Sequence, residues 1–411
     1  MDGPGRARHP HRPRPDTGHD GPVTQAAGSA TGSSRPPLAS RGPVRTASFR
    51  LAGAPLPLLP PTRLYVCGIT PYDVTHLGHA ATLMWADVAA SVIKMSGSDV
   101  IVARNTTDVD DVLTQAAAER GQKYDRFAAV QEYQFSHDLA ALRVREPTHA
   151  PRATRHIDHV IALSAALLTV DAAYERDGSV IFRGAAVPDM CGVPAAEARL
   201  LLDEFGGQPQ RERYDNEFDV PVWQQSGPND PAWPSPWGWG RPGWHGECSA
   251  MAAASLGARI DVLVGGADLA FPHHAYQDAM VAAVSGVPLA RAHMGVGTVS
   301  VGGAKMAKST KNLVLVADLL RTHRPEAVRL LLLDRRWDRA WEFTPADLDA
   351  AGARLDRLHA AAGVPGGSDT AAEEEITRAL LDDLDVPRAL GIAEDAGGAP
   401  ARRLLRILAL D

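Results

Sequence analysis

The chain holds 411 residues, 45% of them hydrophobic, and carries a formal net charge of −7. A chain of that size buries a full core and more than one domain, while its acidic balance argues against a broad nucleic-acid surface, which needs clustered lysine and arginine. No apolar run reaches the roughly 18 to 20 residues that cross a bilayer, and the N-terminus lacks the apolar core of a secretory signal. Three cysteines, Cys67, Cys191 and Cys248, form no disulfide framework and suit a reducing cytoplasm.

Residues 1–46 are rich in Pro, Gly, Arg and Ser without hydrophobic periodicity, and read as a disordered tail. Residues 63–67 predict a strand, turn-rich 68–71 follows, and 78–95 predict a helix. A second strand is predicted over 99–104. Helical patterns then cover 109–142 and 153–176, giving a helical insertion over about 110–215. Residues 203–242, rich in Pro, Gly and Trp, read as a long functional loop. Residues 260–264 predict a third strand, ending at Gly265-Gly266, and 278–285 a helix. Strands and helices alternating at these lengths imply a parallel sheet covered by helices, with ligands bound beyond the C-terminal strand ends. Cys67, Asn105 and Gly266 fall at such ends, so 47–311 reads as an α/β catalytic domain. The pattern over 312–411 is helical, broken at 363–368, and reads as a C-terminal domain.

Lysine occurs five times, at Lys94, Lys123, Lys305, Lys308 and Lys311, against 37 arginines. Codon bias in a GC-rich genome explains the imbalance but not the crowding of the last three. A compact ammonium serves phosphate where arginine's planar fork does not freely replace it. Lys305-Met306-Ala307-Lys308-Ser309 follows Gly302-Gly303; it can neutralise departing pyrophosphate or be a solvated basic loop. His76-Leu77-Gly78-His79 precedes a helix, where backbone N–H groups and the dipole favour a triphosphate, although either histidine can simply cap it. Cys67, Cys248 and His273 form no compact pair, so their spacing fits buried thiols and a capping histidine as well as a metal. All three fall at predicted element ends. Two thiolates and one imidazole would leave a fourth zinc position open, as catalytic sites require.

Taken together and in order, these blocks resemble cysteinyl-tRNA synthetases. The resemblance is carried by Tyr65-Val66-Cys67-Gly68-Ile69-Thr70-Pro71-Tyr72-Asp73, by the HIGH-like 76–79, and by Asn105-Thr106-Thr107-Asp108-Val109-Asp110-Asp111. It continues in Gly240-Arg241-Pro242-Gly243-Trp244-His245-Gly246-Glu247-Cys248-Ser249-Ala250-Met251, in Gly265-Gly266-Ala267-Asp268 through Phe271-Pro272-His273-His274, and in the KMSKS-like 305–309. Within that superfamily the wording at 67–82 and Trp233-Pro234-Ser235-Pro236-Trp237-Gly238 looks most like the cysteine:glucosaminyl-inositol ligases of mycothiol biosynthesis. The resemblance implies a Rossmann-like class I nucleotidyl-transferase fold with a helical C-terminal domain. About 100 residues follow Ser309, where a synthetase continues into stem- and anticodon-binding modules. Residues 312–411 hold 13 arginines, no lysine and 18 acids, a poor surface for tRNA.

By the same resemblance, Cys67, Cys248 and His273 hold one Zn²⁺, and the substrate's thiolate takes the open position. Gly68, Ile69, Thr70, Thr82, Asn105, Thr106, Thr107, Trp244, Gly266, Ala267, Asp268 and Val299 contact the cysteinyl adenylate. His76, His79, Lys305 and Lys308 act on ATP, which arrives with Mg²⁺. L-cysteine is thereby activated and passed to a small amine, glucosaminyl-inositol, by a cytoplasmic monomer that uses neither tRNA nor a membrane. Some residues depart from the pattern. Ala307 replaces a serine in the KMSKS-like loop, Gln277 stands where the synthetase has a fourth, glutamate ligand, and an ERGGDP-like loop is replaced around 210–215. These departures leave open a paralogous ligase using another amine in secondary metabolism, a synthetase lacking its anticodon domain, and a catalytically silent binding relative.

Overall fold

The computed structural model describes residues 48–72, 75–206, 213–228, 230–306, 312–367 and 369–411. Strand β1 (Thr62–Ile69) leads through α1 (Leu77–Met95) to β2 (Val100–Thr106). An insertion follows, with α2 (Asp111–Glu119), α3 (Tyr124–Ala141), α4 (Ile157–Thr169), β3 (Ala173–Arg176), β4 (Ser179–Phe182), α5 (Ala195–Phe205), β5 (Val220–Gln225), β6 (Trp233–Ser235) and β7 (Gly238–Pro242). The chain returns through α6 (Trp244–Leu256), β8 (Ile260–Gly266), α7 (Ala275–Ser285) and β9 (Ala290–Val296). It ends with β10 (Val299–Val301), β11 (Ala304–Lys305), α8 (Pro325–Leu333), β12 (Trp341–Glu342) and the helices α9 (Pro345–Gly363), α10 (Thr370–Leu381), α11 (Val386–Ala396) and α12 (Gly398–Leu408).

The central sheet is parallel throughout, in the order β9-β8-β1-β2. Its two central strands, β8 and β1, are mostly apolar and buried because both faces of the sheet are covered. Leu64 and Val66 pack with Val88 and Ile93 of α1, whereas Tyr65 and Cys67, one residue out of phase, pack with Cys248 and Met251 of α6. Strand order reverses between β1 and β8, which opens the crevice where such sheets bind ligands. The expected α/β class is therefore the observed one.

The C-terminal helices share the core on the α1 face, where Leu330, Leu355 and Leu404 meet Val88 and Val92. Buried Arg329 donates to Asp87 of α1 at 2.6 Å and to the carbonyl of Leu142 at 3.0 Å, tying three parts of the chain together. All described residues belong to one compact unit, Thr46–Asp411. No described helix is long and apolar enough to cross a membrane.

The insertion is less helical than its pattern suggests. Helix α4 stops at Thr169, and β3 and β4 form a hairpin around Asp177-Gly178, both at positive φ. Asp-Gly flanked by β-formers is a strong hairpin signal, and here it overrides the helical periodicity. Much of 203–242 is likewise strand: an antiparallel sheet runs β3-β4-β5-β7-β6. Edge strand β9 pairs with β8 over Ala290–Val296 but carries Arg291 and His293, which hid it among polar residues.

Candidate functional site

Strand β1 loses its regular register with β2 between Val66 and Ile69, at Cys67 and Gly68. Gly68 donates its N–H to the Asn105 side chain at 2.9 Å, and a Cβ there would sit 2.0 Å from the Asn105 carbonyl oxygen. This irregularity, a feature common next to active sites, leaves Cys67 close to α6. The Asn105 amide donates onward to Cys248 Sγ at 3.3 Å.

Cys67, Cys248 and His273 are all buried, and their ligating atoms lie within 4.8 Å of one another. Each comes from a different element: β1, α6, and the kinked turn Ala270–His274 before α7. The hydrogen bond from Cys248, with histidines 274 and 273 adding to it against burial, holds the Cys67 thiol well below the ordinary thiol range. Burial lowers the pKa of His273, favouring the neutral imidazole that metals take. His273 Nδ1 lies 2.9 Å from His245 Nδ1, and the Trp244 ring stacks on His273 at 4.1 Å. That contact occupies one ring nitrogen and leaves Nε2 as the other donor, as in metal sites whose histidine is fixed from behind. Two thiols, an imidazole and this support fit a zinc ion with one open position. Gln277 reaches the same place but donates its amide to Cys67 Sγ at 3.6 Å.

The nucleotide side is built around the start of α1. His76 caps that helix, its Nδ1 accepting from Gly78 N–H at 3.1 Å, and its ring stacks on His79 at 3.8 Å. Burial, with His79 and Lys305 adding to it, pushes the His76 pKa down to about 3. Thr82 donates to the Gly78 carbonyl one turn later, at 3.3 Å. Lys305 sits on β11 after the two-residue turn Gly302-Gly303, and its Nζ lies 2.7 Å from Asp268 beyond β8. Val299 is buried at the start of β10, accepting from Met306 N–H.

Ile69, Thr70 and Thr107 knit the ends of β1 and β2 together: Thr107 N–H and hydroxyl reach the Ile69 carbonyl, and the Thr70 and Thr107 hydroxyls lie 2.6 Å apart. Thr106 instead bonds Pro151 at the outer side of β2. Gly266, Ala267 and Asp268 close the end of β8. Apart from Thr106 and Val299, the described sequence-predicted residues thus lie at the strand ends of this sheet, at the start of α1 and α6, or on the neighbouring β11 and the turn before α7. Lys308 lies outside the described residues, as do Ala307, Asp73 and residues 207–212.

Two residues of that edge escaped sequence reading. His245 supports His273, and Glu247 is fully buried with neither carboxylate oxygen hydrogen-bonded among the described residues. The signal lay in the wording itself, since Trp244, His245, Glu247 and Cys248 crowd five positions at the start of one helix. A cleft of about 570 Å³ adjoins them, lined by Thr70, Asp110, Trp244 and Glu247 among others.

Comparison with known proteins shows the family and the fold. Residues 60–353 match the family model described as tRNA synthetases class I (C) catalytic domain. The L-cysteine:1D-myo-inositol 2-amino-2-deoxy-alpha-D-glucopyranoside ligase of Parafrankia sp. (strain EAN1pec) is 42% identical over 352 residues, 84% of this chain and 79% of that protein. The ligase of the same name from Streptosporangium roseum is 40% identical, covering 82% of this chain and 84% of its own. Among solved structures, Mycobacterium tuberculosis methionyl-tRNA synthetase in complex with methionyl-adenylate shares the fold, with a TM-score of 0.62 at 16% identity, over 86% of this chain and 82% of that one. The chain belongs to the class I (C) tRNA synthetase catalytic-domain family, within its branch of L-cysteine:1D-myo-inositol 2-amino-2-deoxy-alpha-D-glucopyranoside ligases.

Proposed function

We propose that this chain is a cytoplasmic, monomeric ligase that activates L-cysteine with ATP as cysteinyl-AMP and passes the cysteinyl group to the amine of glucosaminyl-inositol, the two substrates that its relatives' names join. The observation that carries the reading is the buried meeting of Cys67, Cys248 and His273 at a strand end shared with the predicted adenylate residues. A zinc ion held there would give a thiolate a partner that a hydroxyl cannot match, so serine is refused at binding.

The chain's own groups supply the rest. The N-terminus of α1, capped by neutral His76, offers N–H groups and a positive dipole end to the phosphates. Lys305 leaves Asp268 for the phosphates and offsets the charge that builds on pyrophosphate as the cysteine carboxylate attacks the α-phosphorus. Lys308 acts beside it, and Mg²⁺ accompanies ATP as substrate. Thr70, Thr107 and Trp244 hold the adenylate over the sheet edge. The acceptor's nitrogen then forms the C–N bond while the acyl C–O bond breaks, AMP leaving with that electron pair and the nitrogen losing one proton to solvent.

Acceptor-dependent AMP release tests the reading. Zinc-loaded enzyme with cysteine and ATP releases AMP in step with added glucosaminyl-inositol. Exchange of pyrophosphate without such stimulation contradicts the acceptor, and transfer of labelled cysteine to tRNA contradicts the reading as a whole.

A further inference from the structure

Glu247 lies three residues after Trp244 on α6, with no exposed surface and no hydrogen-bond partner for either oxygen among the described residues. A buried carboxyl left so costs its full desolvation, and native structures rarely keep one without a use. It lines the cleft of about 570 Å³ that Thr70 and Trp244 also line. That volume is in the range that houses small ligands.

Of the other acidic groups lining this cleft, Asp177 and Glu204 are exposed to solvent, and the remaining two have protein partners. Asp110 caps α2 through Val112 N–H and accepts from the Thr70 hydroxyl. Asp111 accepts from Arg241 Nε at 2.7 Å and from the Gln224 amide at 3.4 Å. Glu247 differs from all four in being both fully buried and without a hydrogen-bond partner among the described residues. The cleft lining also mixes acceptors with donors, among them Gln224, Gln225 and Arg241. Such a wall suits a body studded with hydroxyls, not an apolar amine.

We propose that this cleft seats the acceptor, an amine carried on a polyhydroxylated body, and that Glu247 is the group that recognises its amine. The proposal rests on the reading above and adds the acceptor's seat and the residue that recognises its amine. Glu247 accepts N–H hydrogen bonds from the amine and points its nitrogen toward the acyl carbon held between Thr70 and Trp244. Arg241 and the glutamines meet the hydroxyls.

Two reactions of the full, zinc-loaded chain separate the proposal from the reading beneath it. Cysteine-dependent ATP–pyrophosphate exchange reports activation alone, and AMP release with glucosaminyl-inositol reports transfer. Glu247→Gln, which sets an N–H donor where the carboxyl had an acceptor, is expected to raise the acceptor KM about tenfold or more, the worth of a lost buried hydrogen bond, while the cysteine KM in exchange moves by about threefold at most. Ser179→Trp, which narrows the cleft from β4, is a second variant and is expected to raise the acceptor KM in the same way. An unmoved acceptor KM in both variants overturns the proposal. A raised cysteine KM in Glu247→Gln with an unmoved acceptor KM also overturns it, giving Glu247 to the cysteine ammonium. Wild type that exchanges but transfers to neither glucosaminyl-inositol nor glucosamine overturns the acceptor class; wild type without exchange overturns the underlying reading.

Discussion

His245 and His273 meet through their Nδ1 atoms at 2.9 Å, both rings buried, with Trp244 stacked on His273 and Tyr276 stacked on His245. The aromatic pile fixes the His273 ring and presents its other nitrogen to Cys67 and Cys248. Replacing His245 by Ala removes that support without touching a ligand. Loss of such a supporting partner lowers metal affinity about 10- to 100-fold. Competition with a chelating indicator measures it, and unaltered zinc affinity in His245→Ala contradicts the assignment.

Lys305 pairs with Asp268 at 2.7 Å, both partly exposed, so the pair itself adds little stability. Its value is placement. Lys305→Ala is expected to slow exchange by about 10²- to 10³-fold with folding intact. Lys305→Arg restores only part of the rate, because a guanidinium fork does not occupy an ammonium's point position. Equal rates in all three proteins would remove Lys305 from the reaction.

Asp87 and Arg329 form an ion pair whose side chains are 4% and 1% exposed. Arg329→Ala leaves Asp87 buried with, among the described residues, Arg145 as its ion-pair partner, which is itself 45% exposed. Breaking a buried pair in this way costs about 3 to 5 kcal/mol. A denaturant midpoint tests this, and Arg329→Met with Asp87→Leu together should recover much of the loss.

His76 titrates far from its ordinary range, at about 3, because burial disfavours its charged form. The unfolded chain protonates it near pH 6.5. Between about pH 6.5 and pH 3 the unfolded state therefore binds a proton that the folded state refuses. Stability from this group is whole above about pH 6.5 and falls as the solution is acidified. Comparing unfolding midpoints at pH 7 and pH 5 should show a smaller acid loss in His76→Gln than in wild type. An identical loss would contradict the burial argument.

Much of the site was legible because its residues lie at element ends that hydrophobic patterning locates. The run 63–67, the helix after His76 and the strand before Gly266 are strong patterns, and they carry Cys67, His76 and Asp268 to one edge. The insertion was harder to read. At Asp177-Gly178 a two-residue turn decided the structure against the surrounding helical period, and short strands such as Trp233–Ser235 have no period to detect. His245 and Glu247 stand in the sequence without a pattern to assign them, because their roles come from a contact across 28 residues of chain in one case and from the lack of a hydrogen-bond partner among the described residues in the other.

The most direct measurement is ATP–pyrophosphate exchange with cysteine and with serine, on zinc-loaded enzyme and on Cys248→Ala. Exchange driven by cysteine, absent with serine and lost in Cys248→Ala, is the predicted result. Serine-driven exchange equal to that with cysteine, or exchange that survives Cys248→Ala with its preference intact, would contradict the account.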